Sequence, residues 1–151
     1  MTATKVEAFD HAVHTAQLWV SGVAKEFGTE DLQFAYRVLR AWLHTLRDRL
    51  TVEATAQFAA QLPELLRGVY YDGWDPHRVP VKYGVEEYQR RFAAEAIISL
   101  PEVRRAAATV TAAIHNLVSP GQLTHVLEQL PHTLRPVLVG QDWPGGRMTL
   151  G

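Results

Sequence analysis

Apolar residues recur at alternating steps of three and four from the start of the chain. Val6, Phe9, Val13, Ala16, Val20, Val23 and Phe27 predict an amphipathic helix over 4–27 with that stripe turned to a core. Its outward face carries Glu7, His11, His14 and Lys25, but also Leu18, with Trp19 on the border between the two faces. An outward Leu beside a Trp marks Leu18 and Trp19 as candidates for contact with another surface. Gly28 ends this helix, and Thr29 with Glu30 and Asp31 predicts the cap and acidic first turn of the next. That second helix, over 30–49, has Leu32, Ala35, Leu39, Trp42, Leu43, Leu46 and Leu50 on one stripe. Gln33, Arg37, Arg40, His44 and Arg47 form the other, and its charges follow the helix macrodipole. Thr51 is the predicted cap of a third helix holding Ala54, Phe58 and Leu62, which Pro63 must end. A fourth helix is predicted over 64–71, and the Gly- and Pro-bearing run 72–80 reads as a connector.

The same order of elements then returns. Gln61-Leu62-Pro63-Glu64-Leu65-Leu66-Arg67 reappears as Gln129-Leu130-Pro131-His132-Thr133-Leu134-Arg135, and each copy is followed by a Trp and a Pro. His44 and its apolar neighbours correspond to His115 and Ala112, Ile114 and Leu117. Ser99-Leu100-Pro101-Glu102 is a capping box, and Ser119 followed by Pro120 stands where Thr51 stands in the first copy. Helices are therefore predicted over 84–98, 100–117, 120–130 and 132–139. The expectation is an all-α protein of two tandem pseudo-repeats, 4–76 and 84–144, of about four helices each. Units of roughly seventy residues bury too little apolar surface to stand alone, so the two are expected to share one core in a single domain, 1–151, with 145–151 a flexible tail.

Composition narrows the chemistry mainly by exclusion. With no cysteine there is no disulfide, thiolate nucleophile, zinc finger or iron–sulfur cluster. A net charge of −1, with twelve arginines interspersed among acids, gives no basic patch for nucleic acid. No apolar run approaches a membrane span and the first thirty residues lack a signal-peptide pattern, so no membrane partner and a cytoplasmic location are expected. No catalytic residue, cofactor site or metal site is assigned. The Gly-x-Ser-x-Gly, His-Glu-x-x-His and phosphate-loop strings are absent, and Glu7, His11 and His14 read as a solvated helix face.

Two constellations remain. Tyr70, Tyr71, Asp72 and Trp74 make the richest aromatic segment, of the composition found at contact hot spots and equally in a loop plugged onto its own core. His44 and His115, at equivalent places in the repeat and flanked by Arg37 and Arg40, are the candidates for a polar pocket if a pseudo-two-fold axis joins them.

The runs Leu39-Arg40-Ala41-Trp42-Leu43-His44-Thr45-Leu46-Arg47-Asp48-Arg49-Leu50, Ala59-Ala60-Gln61-Leu62-Pro63 and Leu65-Leu66-Arg67-Gly68-Val69-Tyr70-Tyr71-Asp72-Gly73-Trp74 resemble the bacterial family catalogued as domain of unknown function 2267. The second copy departs from that pattern, carrying Val137-Leu138-Val139-Gly140-Gln141-Asp142-Trp143 after its junction. The resemblance implies a small, soluble, all-helical bacterial protein without an established activity, and carries over no catalytic residue. The expectation is a non-catalytic interaction or assembly module, with a protein partner or self-association as a homo-oligomer. The alternative is a small-molecule or metal-binding helical protein, or an enzyme, with its site near His44 and His115.

Overall fold

In the computed structural model, which describes residues 5–140, the first long amphipathic pattern is helix α1 (Glu7–Phe27). Gly28, in the left-handed region at φ 70°, closes it and lets α2 (Leu32–Arg49) fold back along it. There follow α3 (Val52–Ala59), α4 (Glu64–Tyr71), α5 (Val85–Ala96), a 3₁₀ turn at Leu100–Glu102 leading into α6 (Val103–His115), α7 (Gln122–Leu127) and α8 (Arg135–Leu138). The described residues thus form eight α-helices and no strand, a single all-helical domain. The tail and Trp143 lie outside them.

The hub is α2. Every residue from Ala41 to Arg47 is buried, whichever face it occupies, because α1, α4, α5 and α6 all pack against this helix. Trp42 donates its indole N–H to Thr111 Oγ1 on α6 at 2.9 Å, and the Tyr83 hydroxyl donates to the Thr45 carbonyl. Arg37 Nε reaches the Ala96 carbonyl at 3.3 Å, and Arg49 Nε reaches the Tyr83 carbonyl at 3.2 Å. These bonds cross from the first half of the chain to the second. Helices α2 and α5, one from each half, pack against each other, so Trp42, Tyr88 and Phe92 lie in one shared core.

Local signals fared unevenly. Thr51 accepts from Ala54 N at 3.1 Å, and Ser99 and Glu102 cap each other as a capping box. The cap of α2 is Asp31 rather than Thr29: Asp31 Oδ1 accepts from Phe34 N, while Thr29 supports Asp31 one step earlier. Ser119 caps nothing. Gly121, at φ 83°, precedes α7, so the helix starts two residues after Pro120.

Both copies of the Leu-Pro-x-x-Leu-Arg junction are built alike. Leu62, Leu66, Leu130 and Leu134 are buried, and Pro63 and Pro131 bend the chain away from the helix just ended. The last carbonyls of a helix have no intrahelical donor, and here the junction arginine supplies one. Arg67 donates to the Ala59 and Leu62 carbonyls at 3.0 and 2.9 Å, and Arg135 to the Leu130 and Glu128 carbonyls at 3.1 and 2.6 Å.

Two departures from an ordinary core stand out. The stripe of α1 is buried or half-buried from Ala16 onward, yet Val6, Phe9 and Val13, on the same face, are 52, 70 and 47% exposed. The first turns of α1 run past the body of the domain, a correction to the expectation that the whole stripe is buried. The start of α2 is likewise uncovered at Leu32. Secondly, Ile97 ends α5 at φ 58°, ψ 54°. It holds the same cap geometry as Gly28: Thr29 N reaches the Ala24 carbonyl and Ile98 N reaches the Ala93 carbonyl. The left-handed region costs an L-residue about 1–2 kcal/mol, and a β-branched residue is poorly suited to it.

Candidate functional site

Three side chains about one turn apart on α2, Arg40, His44 and Arg47, turn toward the C-terminal end of α4. That end exposes orphaned carbonyls and the negative pole of the helix. His44 Nε2 donates to the Val69 carbonyl at 2.7 Å, and Arg47 Nη1 donates to the Tyr70 and Asp72 carbonyls at 2.7 and 2.5 Å. Arg47 also pairs with Asp48 at 2.9 Å through Nε, and Arg40 with the Asp72 carboxylate at 2.9 Å. From the other side α5 brings Glu95, whose carboxylate meets His44 Nδ1 in a short contact and lies 3.7 Å from Arg40 Nε. One helix therefore pins two neighbours with a single row of hydrogen-bonding side chains.

This arrangement settles what His44 can do. A carbonyl only accepts, so Nε2 must carry a hydrogen, and Nδ1 is held by Glu95. Neither nitrogen is left to take a proton from a substrate, as a general base must. The shallow depression beside the ring, about 440 Å³, is lined by His44, Thr45, Arg47, Asp48, Arg91, Ala94 and Glu95. His115, Arg37 and Arg40 are not part of its wall. His115 is half-buried on α6, and Arg37 is engaged with Ala96 and stacked on Phe34. Among the described residues no three His, Asp or Glu side chains are grouped to hold a metal ion.

The aromatic segment divides between core and surface. Tyr70 is fully buried and donates to the Thr55 carbonyl at 3.2 Å. Its ring belongs to a ladder of Trp42, Phe58, Tyr70, Tyr71 and Trp74, with successive centroids 5.1–6.0 Å apart. Tyr71 and Trp74 are half-buried at its outer end and Asp72 is exposed. The segment is largely a plug, and Tyr70 is corrected from contact residue to core. Trp19, 6% exposed, is corrected in the same way, whereas Leu18 beside it remains 54% exposed.

Sequence reasoning missed Glu95, Asp72 and the carbonyl end of α4 as partners of the polar stripe of α2. An amphipathic pattern with Arg at its polar positions reads as a solvent face, and nothing in its period reports a second helix end arriving there. It also missed Ile97. The available signal was the lack of Gly or Asn where α5 has to stop before Ser99.

A family profile described as Uncharacterized conserved protein (DUF2267) matches residues 16–137. The match begins at Ala16, the first α1 residue packed into the core, and leaves the exposed stretch of Val6, Phe9 and Val13 before it. No curated protein matches the chain.

Proposed function

We propose, from the premise that this chain belongs to the DUF2267 family of uncharacterized conserved proteins, that it is a non-catalytic interaction or assembly module working in a bacterial cytoplasm. The observation that carries this reading is the apolar stripe of α1 continuing past the domain at Val6, Phe9 and Val13. An apolar helix face is normally buried against another element, and fully burying a Val or Phe side chain is worth about 1.5–3 kcal/mol. A partner laid along this face gains that energy, as in helix-in-groove recognition. Leu18, on the opposite side of the same helix, widens the surface available.

The paired state of the polar cluster supports the same reading. His44, Arg47 and Glu95 each hold a partner within the domain, which weighs against a small-molecule or metal site near His44 and His115. The cytoplasmic setting rests on the cysteine-free sequence and on the absence, among the described residues, of any helix long and apolar enough to cross a membrane.

The double substitution Phe9→Glu/Val13→Glu tests this reading. Both side chains are exposed, so the helical circular dichroism and Tm should stay as in the parent, while proteins that co-purify with the full chain from its own cells should be lost. Unchanged co-purification would overturn the assignment of this face.

A further inference from the structure

We infer that His44 and Glu95 form a proton-binding site where α2, α4 and α5 meet, closing that junction when the proton is bound and loosening it when the proton leaves. The site is independent of the interaction surface proposed above.

Both ring nitrogens of His44 face acceptors. Nε2 lies 2.7 Å from the Val69 carbonyl, and Nδ1 is in short contact with a Glu95 carboxylate oxygen. Neither a carbonyl nor an ionised carboxylate can donate, so satisfying both contacts takes a hydrogen on each nitrogen, which only the imidazolium form has. The proton belongs to the ring and not to the carboxyl group, because imidazole is the stronger base by about two pH units. Its loss leaves one nitrogen bare whichever tautomer remains: Nδ1 presents a lone pair to Glu95, or Nε2 presents one to Val69. The His44 side chain is only 9% exposed, so water does not readily replace the missing donor, whereas Glu95, at 26%, can turn outward. The contact that opens is therefore the one between α2 and α5.

Charge around the ring calls for the same proton. Arg40, Arg47 and Asp48 approach it from α2 itself, Asp72 from beyond the end of α4, and Arg91 with Glu95 from α5. Each arginine already has a carboxylate: Arg40 is 2.9 Å from Asp72, Arg47 is 2.9 Å from Asp48, and Arg91 is 3.2 Å from Glu87. Glu95 is left over. Arg40 Nε comes only to 3.7 Å from it, beyond hydrogen-bonding distance. A proton on His44 balances this last anion, as an opposite charge at close range favours.

Linkage fixes the sign of the effect. The unfolded chain releases the histidine proton near pH 6.5, at about the ordinary value. A closed junction that needs the proton then carries more protons than the unfolded chain above that pH, so stability falls as pH rises. The fall lies well below the alkaline range in which the buried tyrosine hydroxyls ionise.

Urea denaturation of the full chain from about pH 5.5 to about pH 8.5, a range spanning the ordinary histidine value, tests the proposal. The unfolding constant of the parent should rise about tenfold across it. Glu95→Gln keeps a partner for the ring but removes the need for the proton, since an amide donates to a neutral Nδ1. This variant should lose most of the rise, standing below the parent in stability at the acid end and level with it or above at the alkaline end. The other histidines are common to both proteins and cancel in the comparison. Nitrogen-15 NMR of the parent gives a second reading: at about pH 7, where an ordinary histidine is mostly neutral, the ring of His44 should carry hydrogens on both nitrogens. Parallel pH profiles in the parent and Glu95→Gln, as a purely structural contact would give, overturn the proposal, and so does a singly protonated His44 ring at that pH.

Discussion

His44 ties three helices together with one ring. It sits on α2, donates to the end of α4 and is gripped by Glu95 of α5, so its removal leaves a carboxylate and a helix-terminal carbonyl short of a donor. Removing one partner of a buried hydrogen bond is costly, but the Glu95 side chain is 26% exposed and water can reach it. We expect His44→Ala to lower the unfolding free energy by about 2–3 kcal/mol, read from urea denaturation with the m-value unchanged. A loss below about 0.5 kcal/mol would mean that the ring is only a surface group. This role was not legible in the sequence. His44 and Arg47 sit at polar positions of an amphipathic pattern, and only the arrival of α4 and α5 turns that stripe into an interior one. Trp42 and Leu43, by contrast, were legible from periodicity alone.

Between the helices, the repeated junction works as an arginine-capped corner. Its leucines and prolines announced themselves through sequence repetition, and so did the helix breaks. The task of the arginine did not, because it lies in a hydrogen bond to carbonyls five to eight residues back. Hydrogen bonds involving a charged group contribute about 1.5–3 kcal/mol, so Arg67→Ala and Arg135→Ala should each destabilise by about that amount. Arg67→Lys should recover little, since a single ammonium cannot reach two carbonyls as a planar fork does. Full recovery by Lys would show that charge, not geometry, is what the corner uses. Helix α1 gives the complementary lesson. Its period was read correctly along its whole length, yet a period says only which residues share a face, not whether anything covers it.

Across the whole molecule, the core stores its sensitivity to alkali in three tyrosines. Burial pushes the hydroxyls of Tyr70, Tyr83 and Tyr88 well above the ordinary tyrosine range. The unfolded chain ionises them near pH 10, so above that pH the folded state binds more protons than the unfolded one and stability falls as pH rises. Stability from these groups is therefore complete below about pH 10 and is lost toward the raised folded values. The steep rise in tyrosinate absorbance should coincide with the loss of helical circular dichroism, and a full tyrosine titration with the helices intact would contradict the burial of the three rings. Near neutral pH the same core is closed and its polar groups are largely paired, and the surface we propose for interaction is the apolar start of α1. Site-specific photo-cross-linking from position 9, with a photoreactive phenylalanine analogue placed in the full chain in its own cells, tests that claim most directly. The account predicts a discrete adduct from position 9 and none from exposed Gln57 on α3; no adduct, or the same adducts from both positions, would contradict it.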